Sequence, residues 1–181
     1  MLNRQPELKD EKVRLRPLIE DDWEALFAVA SNPAIWEQHP MHNRWREDVF
    51  RAFFDDALAQ GGALAIVNRA NDGVIGSSRF QVYDPADGGS IEIGWTFLAT
   101  RYWGKGINPC VKRLMLDHAF QSVERVDFRV GETNYRSRFA LENIGATRSE
   151  RTELTRYEGR RVLHLVYELA REAFESGPLR T

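Results

Sequence analysis

Between Thr100 and Cys110 the chain reads TRYWGKGINPC, in which two glycines flank a lysine and an Asn-Pro pair follows. Strand-like alternation precedes this stretch and helical spacing follows it, so it sits where a strand turns into a helix. The first turn of a helix carries backbone N–H groups without partners and the positive end of the dipole, and therefore attracts anions. Glycine lets the backbone fold close around a phosphate with no side chain in the way. From Arg101 to Arg113 the chain holds Arg101, Lys105, Lys112 and Arg113 without one acid, although its net charge is -2. Such a local bias calls for a local anion, of which a diphosphate is the natural candidate. Two phosphate loops do not fit. A Walker A loop needs more widely spaced glycines and a Lys-Ser/Thr pair, and a dinucleotide fingerprint needs a third glycine where Pro109 stands. A plain turn whose glycines serve only the chain direction stays open on these residues alone.

The elements that must position this corner follow from pattern. Lys12 to Leu18 alternates apolar and charged residues as a first strand, and IEDDWEALFAVASNP has acids in its first turn and a stop at Asn32-Pro33. A second helix is expected over Arg46 to Gln60, with Val49, Phe50, Phe53, Phe54 and Leu58 on one side. ALAIVNR, VIGSSRFQVY and SIEIGWTFL read as strands separated by hairpin turns at Asn71-Asp72-Gly73 and Asp84 to Gly89. After the glycine corner the spacing predicts a helix with Asn108 as cap and Pro109 at its first position. RVDFRVG is a further strand, and NYRSRFALENIGA is a short helix ended by Gly145. Two strands follow, Thr147 to Thr155 and Arg160 to Leu169, around Tyr157-Glu158-Gly159. The order β-α-α-β-β-β-α-β-α-β-β implies an α+β domain with a mixed sheet covered by helices. Residues 12–169 read as one domain, with an extension over 1–11 and a tail over 170–181.

Composition narrows the classes. With 43% hydrophobic and 29% charged residues the chain is that of an ordinary globular protein, and its slight acidity argues against a nucleic-acid binder. One cysteine excludes an intrachain disulfide, and no Cys/His cluster has zinc spacing, so no metal is expected. MLNRQPELKDEK is too polar for a signal peptide, and no apolar run is long enough to span a membrane. The expectation is a cytoplasmic protein with no membrane partner, as a monomer or homodimer.

A third phosphate loop has the layout seen here: strand, short loop, glycine pair, helix. From Lys12 to about Leu169 the chain resembles the GNAT superfamily of N-acetyltransferases, and within it the ribosomal-protein N-terminal acetyltransferases. VRLRPLIEDDWEALFAVASNP, IEIGWTFLATRYWGKGIN, LMLDHAF and ETNYRSRFALENIGA carry the resemblance, in order and at family spacing. The superfamily loop usually reads Gln/Arg-x-x-Gly-x-Gly/Ala, whereas here Trp103 opens it and Asn108 closes it, and Pro109 and Cys110 stand where the closer branch often has a small residue and a glutamate. The resemblance implies a mostly antiparallel twisted sheet of about seven strands flanked by helices. It also implies acetyl-CoA as donor, an amine as acceptor, and direct transfer between them. The first expectation for the amine is a protein or peptide α-amine. A small-molecule amine such as a polyamine or an antibiotic is the alternative, and a CoA-binding module without catalysis is the rival from another class.

The site residues are carried over on the same ground. Phe97 and Leu98 would meet the pantetheine arm, and Arg101 with Trp103, Gly104, Lys105, Gly106, Ile107 and Asn108 would hold the diphosphate. Glu92 is the candidate base; by alternation it shares a face with Gly94, where the missing side chain leaves room for a ligand. A solvated strand carboxylate is its plain alternative. Asn134 would contact the coenzyme and Ser137 would protonate the thiolate, against a reading in which Asn134 merely caps its helix. In IWEQHPMHNRW, Trp36, His39 and His42 are acceptor-site candidates, although Trp36 and Trp45 could equally anchor the loop. Cys110, His118 and His164 read as packing residues, and no histidine is placed to form a dyad with Cys110.

Overall fold

Leu8–Lys9 (β1) and Val13–Pro17 (β2) form an antiparallel pair with Leu8 opposite Leu15. The computed structural model describes residues 2–180; Met1 and Thr181, the outer ends of the expected extension and tail, lie outside the described residues. A short 3-10 turn, Glu20–Asp22, leads into Trp23–Ala30 (α1), and Glu47–Gln60 (α2) follows a long connection. Ala63–Asn68 (β3), Gly73–Asp84 (β4) and Ser90–Leu98 (β5) run as an antiparallel meander. Ile107–Ala119 (α3), Arg125–Gly131 (β6) and Tyr135–Asn143 (α4) come next. Thr147–Tyr157 (β7), Arg160–Ala170 (β8) and Arg171–Glu175 (α5) complete the described chain. The sheet has eight strands in the order β1-β2-β3-β4-β5-β6-β8-β7, and only β5 and β6 are parallel neighbours.

The α+β class agrees with the sequence reading, and the element order does so with one added strand, β1, and one added helix, α5, in the stretch expected to be a tail. β1 comes from the stretch expected to be an extension. Two residues are too few to display a period, and it is Asp10 that makes the strand possible. Its carboxylate accepts the Lys12 and Val13 N–H groups at 2.8 and 2.9 Å, turning the chain back on itself.

The two faces of the sheet are packed differently. Leu64 and Ile66 of β3 point into one core with Ile75, Phe80, Ile93 and the α3 residues Val111 and Met115. Ala63 and Ala65 point the other way, and their small side chains let α2 approach with Phe50, Phe54 and Ala57 at helical spacing. Burying each of those phenylalanines stabilises the fold by about 2 kcal/mol. Trp23 stacks on Phe27 with ring centroids 5.2 Å apart and meets Phe54 edge-on, which joins α1 to α2. This second core covers only part of its face. Over β5, β6, β8 and β7 the same side carries Glu92, Asp127, Arg129, Arg151, Glu153 and His164, joined in ion pairs and hydrogen bonds.

The two parallel strands soon part. β5 and β6 pair only from Ser90 to Glu92, opposite Arg125 to Asp127. Beyond that point β5 contains a β-bulge. Arg79 pairs with Gly94 whereas Ser77 pairs with Phe97, so β5 spends one residue more than β4 on the step. Trp95, with φ 53, lies inside it. A bulky residue in that left-handed conformation costs on the order of 1–3 kcal/mol, and the extra twist turns β5 away from β6. The Arg79 guanidinium lies 4.9 Å from the Trp95 ring and helps to hold it.

Lys112 occupies the other side of this gap. Its ammonium is buried, donates to the Thr96 hydroxyl at 2.6 Å and stands 5.9 Å from the Phe128 ring of β6. Thr96 in turn shares a hydrogen bond with Ser78 at 2.8 Å. Burial brings the Lys112 pKa down to about 7 from an ordinary lysine's 10.5. Between those values the unfolded chain binds the proton more tightly, so stability rises with pH from about 7 toward 10. Lys112→Met is therefore expected to melt higher than the wild type at pH 7, with the advantage shrinking as the pH approaches 10. A gap constant across that range, read by thermal melting, would show that Lys112 does not carry the burial cost assigned to it.

Candidate active site

The splay leaves the second half of β5 with no strand on the β6 side. Ala99 donates to Ile75 of β4, and a Cβ on Gly76 would come within 2.1 Å of the Phe97 carbonyl, so Phe97 turns its backbone toward β4. By strand alternation Leu98 turns the opposite way, into the cleft. Its carbonyl is already taken by the Trp103 indole N–H at 3.1 Å, which leaves the Leu98 N–H as the group facing the gap. Of Phe97 and Leu98, Leu98 is the one whose free backbone N–H faces the cleft. Phe97 instead buries its ring against Trp36, Phe50 and Phe53.

The glycine corner lies at the mouth of this cleft. Gly104 and Gly106 both have left-handed φ, 68 and 75, and Gly106 is the N-cap of α3. The helix thus starts at Ile107, not after Asn108. The expected Asn108 cap is corrected: Asn108 and Pro109 are its second and third residues, and no side chain caps it. Pro109 is harmless there because the first four N–H groups of a helix have no intrahelical partner. Nothing lies within 4 Å of where a Cβ of Gly104 would be, so the backbone is open to a ligand.

The four cations counted from the sequence do not act together. Arg101 and Lys105 are exposed at the loop, with Arg101 5.1 Å from the Tyr102 ring. Lys112 is buried away from it, and Arg113 pairs with Asp10 at 3.0 Å and lies 4.0 Å from Asp117. Trp103 is half-buried, with the Arg136 guanidinium 4.0 Å over its ring. Burial and Asp10 raise the Cys110 thiol above its ordinary pKa, which agrees with its reading as a packing residue.

At the root of the cleft stands Glu92. Its carboxylate is buried, 3.4 Å from Arg129, and Oε2 accepts no hydrogen bond among the described residues. Burial pushes its pKa up to about 7; Arg129 opposes the rise, while Asp127 and Glu153 add to it. A Cβ on Gly94 would lie 3.5 Å from Oε1, so Glu92 and Gly94 do share a face. Gln81 stands opposite Glu92 on β4.

Asn134 is buried and its side-chain oxygen accepts the Ser137 N–H at 3.3 Å, so it caps α4. The Ser137 hydroxyl makes no hydrogen bond among the described residues and is half-buried. The loop before α2 reaches α4 through Gln38, which accepts the Arg136 N–H at 2.9 Å. A cavity of about 480 Å³ opens there, lined among others by His39, His42, Thr133, Tyr157, Arg160 and Arg161. Trp36 is buried and donates to the Ala30 carbonyl at 2.8 Å, so it anchors the loop and does not line the cavity. His39 Nδ1 accepts the Met41 N–H at 2.9 Å, and burial, Arg44 and His164 hold its pKa well below the ordinary value. A neutral ring whose Nδ1 accepts carries its proton on Nε2, so His39, a residue lining the cavity, has an N–H left to donate. His42 is exposed at the rim.

The sequence reading missed Arg44, Arg79, Arg129, Arg160 and Arg161, and placed Tyr157 in a hairpin turn. Tyr157 ends β7 at that hairpin, yet its hydroxyl donates to Asn43 at 2.5 Å and its ring lines the cavity. Only the β7–β8 pairing brings the hairpin over residues more than a hundred positions earlier, and local pattern carries no signal for that.

The sequence matches the family described as Acetyltransferase (GNAT) domain over residues 12–147. The chain belongs to the GNAT acetyltransferase family. A comparison with curated proteins gives no match. Among solved structures, a T. thermophilus protein assigned as an acetyltransferase is 27% identical, with TM-score 0.79 and 97% of this chain and 95% of that chain covered. RimJ of Mycobacterium smegmatis, solved in complex with CoA-disulfide, is 20% identical with TM-score 0.70, covering 97% and 90%. A Vibrio cholerae protein assigned as a ribosomal-protein-serine acetyltransferase is 15% identical with TM-score 0.71, covering 94% and 99%. At those last identities the likeness is one of fold. The GNAT fold binds acetyl-CoA, and no group of three metal-ligating side chains is found among the described residues. Acetyl-CoA at a hundred times its dissociation constant is expected to add about 2.7 kcal/mol, raising the melting temperature by about 5–10 °C. NAD and ATP serve as controls, and equal shifts with all three would deny the corner its preference for this coenzyme.

Proposed function

We propose that this acetyltransferase acts on a primary amine, first of all a protein or peptide N-terminal α-amine, and that the amine enters through the cavity between His39, His42 and the β7–β8 hairpin. The reading is carried by one observation: a buried carboxylate with a pKa near 7, Glu92, at the root of an open cleft. Leu98 N–H supplies the hydrogen bond for the oxyanion as the amine attacks the thioester carbonyl. Arg101 and the loop from Trp103 to Asn108 hold the diphosphate, and Asn134 lies beside the coenzyme while it caps α4. The new C–N bond forms as the C–S bond breaks. The amine's proton leaves to Glu92, directly or through a water, and the Ser137 hydroxyl returns one to the thiolate.

The demand on Glu92 suits the acceptor. An α-amine of pKa about 8 is roughly a tenth neutral at pH 7, whereas a lysine near 10.4 is about a thousandth neutral or less. A base of pKa near 7 is matched to the first. A small-molecule amine is the second reading, favoured by a cavity volume within the range that takes drug-sized ligands.

Glu92 must be ionised to act, so kcat/KM should rise with pH through about 7. In Glu92→Gln the part of the rise near 7 should vanish, leaving the rise set by the acceptor amine's own pKa of about 8, and the rate should fall about a hundredfold with the coenzyme's melting shift retained. An unchanged rate and pH profile would remove Glu92 as the base and leave the acetyltransferase standing.

A further inference from the structure

Two arginines are buried on the face of the sheet that carries Glu92. Arg79 of β4 is 1% exposed, and Arg44, in the loop before α2, is 5% exposed. Both guanidinium groups lie over the ring of Phe53, Arg44 at 4.4 Å and Arg79 at 5.3 Å from its centroid. Arg79 has a counter-ion, since Asp56 accepts from it at 2.8 Å, and Gln81 accepts at 3.2 Å. Arg44 has none. It enters no ion pair among the described residues; its hydrogen-bond partner is the Met41 sulfur, and it also lies 5.2 Å from the Trp36 ring. Arg44 Nε and Arg79 Nη2 are buried without a hydrogen-bond partner among the described residues. Of these two buried guanidinium groups, only Arg79 has a carboxylate partner among the described residues.

A guanidinium taken out of water without an anion is among the costliest arrangements in a protein interior. Its position gives the cost a use. Arg44 follows His39 and His42 in the loop that lines the cavity, and its charge acts on His39 and is acted on by Tyr157, both lining residues. On the other side Phe53 meets Phe97, the neighbour of Leu98, with ring centroids 6.1 Å apart. Arg79 stands opposite Gly94, one alternation from Gln81 and Glu92. The unmatched charge thus lies beside residues that line the cavity, against the ring of Phe53, although Arg44 is not itself in the lining.

We propose that the acceptor amine carries a carboxylate, and that Arg44, backed by Arg79, is the group that receives it. The proposal rests on the reading of the cavity as the acceptor's entrance. It narrows the acceptor class to an amine with an acid a few bonds away, found either in a peptide with Asp or Glu at its first or second position or in a free amino acid. Arg44 is a specificity-determining residue on this assignment. The planar fork of its guanidinium offers paired N–H donors to the two carboxylate oxygens.

The test uses acceptor pairs that differ only by carboxylate against carboxamide. One arm compares peptides beginning with Asp or Glu, or bearing either at the second position, with their Asn and Gln counterparts. The other arm compares free amino acids with their amides. The expected result is a kcat/KM at least tenfold higher for the acid in one arm, with that arm identifying the source of the carboxylate. In Arg44→Gln the ratio should fall toward one while the acetyl-CoA melting shift is kept, and Arg44→Lys should retain part of it. A ratio near one in every pair, or a ratio unaffected by Arg44→Gln, would overturn the proposal. If Arg44→Gln does not fold, the wild type still decides. With CoA present, the N-acetylated acids should raise its melting temperature and the N-acetylated amides should not; equal shifts would overturn the assignment. That binding measurement needs no turnover, so a failure of acetyl transfer is told apart from a failure of the carboxylate site.

Discussion

A single extra residue in β5 organises this molecule. The left-handed backbone at Trp95 makes the bulge, and the bulge separates β5 from β6 immediately after Glu92. Were the two strands to stay paired, Leu98 N–H would be consumed in a ladder hydrogen bond and no cleft would exist. The cost of the strained backbone is offset by packing on both sides of it. Arg79 covers the Trp95 ring, and on the opposite face a hydrogen-bonded chain of Lys112, Thr96 and Ser78 ties α3 to β5 and β4, with the Lys112 ammonium 5.9 Å from the Phe128 ring of β6. Strain concentrated at one residue of a rigid sheet is a recurring way to shape a ligand site.

The electrostatics of the two faces follow from the same division. Where α3 covers the sheet the side chains are apolar, and Lys112, the charge of α3 that is buried there, has its affinity for a proton reduced by burial. Where α1 and α2 end, the opposite face passes from an aromatic core to a field of charges. Glu92, Asp127, Arg129 and Glu153 meet on neighbouring strands, and a carboxylate buried among like charges ionises late. The neutral His39 and the buried Arg44 lie on the same side, in the loop that bridges to α4. A buried carboxylate, a neutral histidine and a buried cation therefore lie on one side of the sheet.

The N-terminal stretch contributes more than its length suggests. Asp10 turns the chain, pairs with Arg113 of α3 and helps to raise the Cys110 thiol. It thereby neutralises a cation that the sequence pattern counted toward the phosphate corner. The cations that stay at the corner are Arg101 and Lys105 at its edge and Lys12 from the β1–β2 turn, whose ammonium would lie 3.7 Å from a Cβ on Gly106.

The sequence by itself determined the elements, their order, and the local chemistry that repeats at short range. Alternation put Glu92 and Gly94 on one face, glycine spacing put a left-handed corner at the start of α3, and Asn134 three residues before Ser137 marked a helix cap. These are properties of a few consecutive residues, set by sterics and by backbone hydrogen bonding within one or two turns. The start of α3 was misplaced because Gly106, not Asn108, takes the N-cap conformation, and β1 was missed because it is too short to have a period. The tertiary structure alone decided which charges meet. Lys112 and Arg113 are adjacent in the chain, yet one is buried beneath β5 and the other bonded to Asp10, while Arg44, Arg79 and Tyr157 come from three distant segments. Burial and long-range pairing set the pKa of Glu92 and leave Arg44 without a counter-ion, and neither quantity exists until the sheet has brought the strands together.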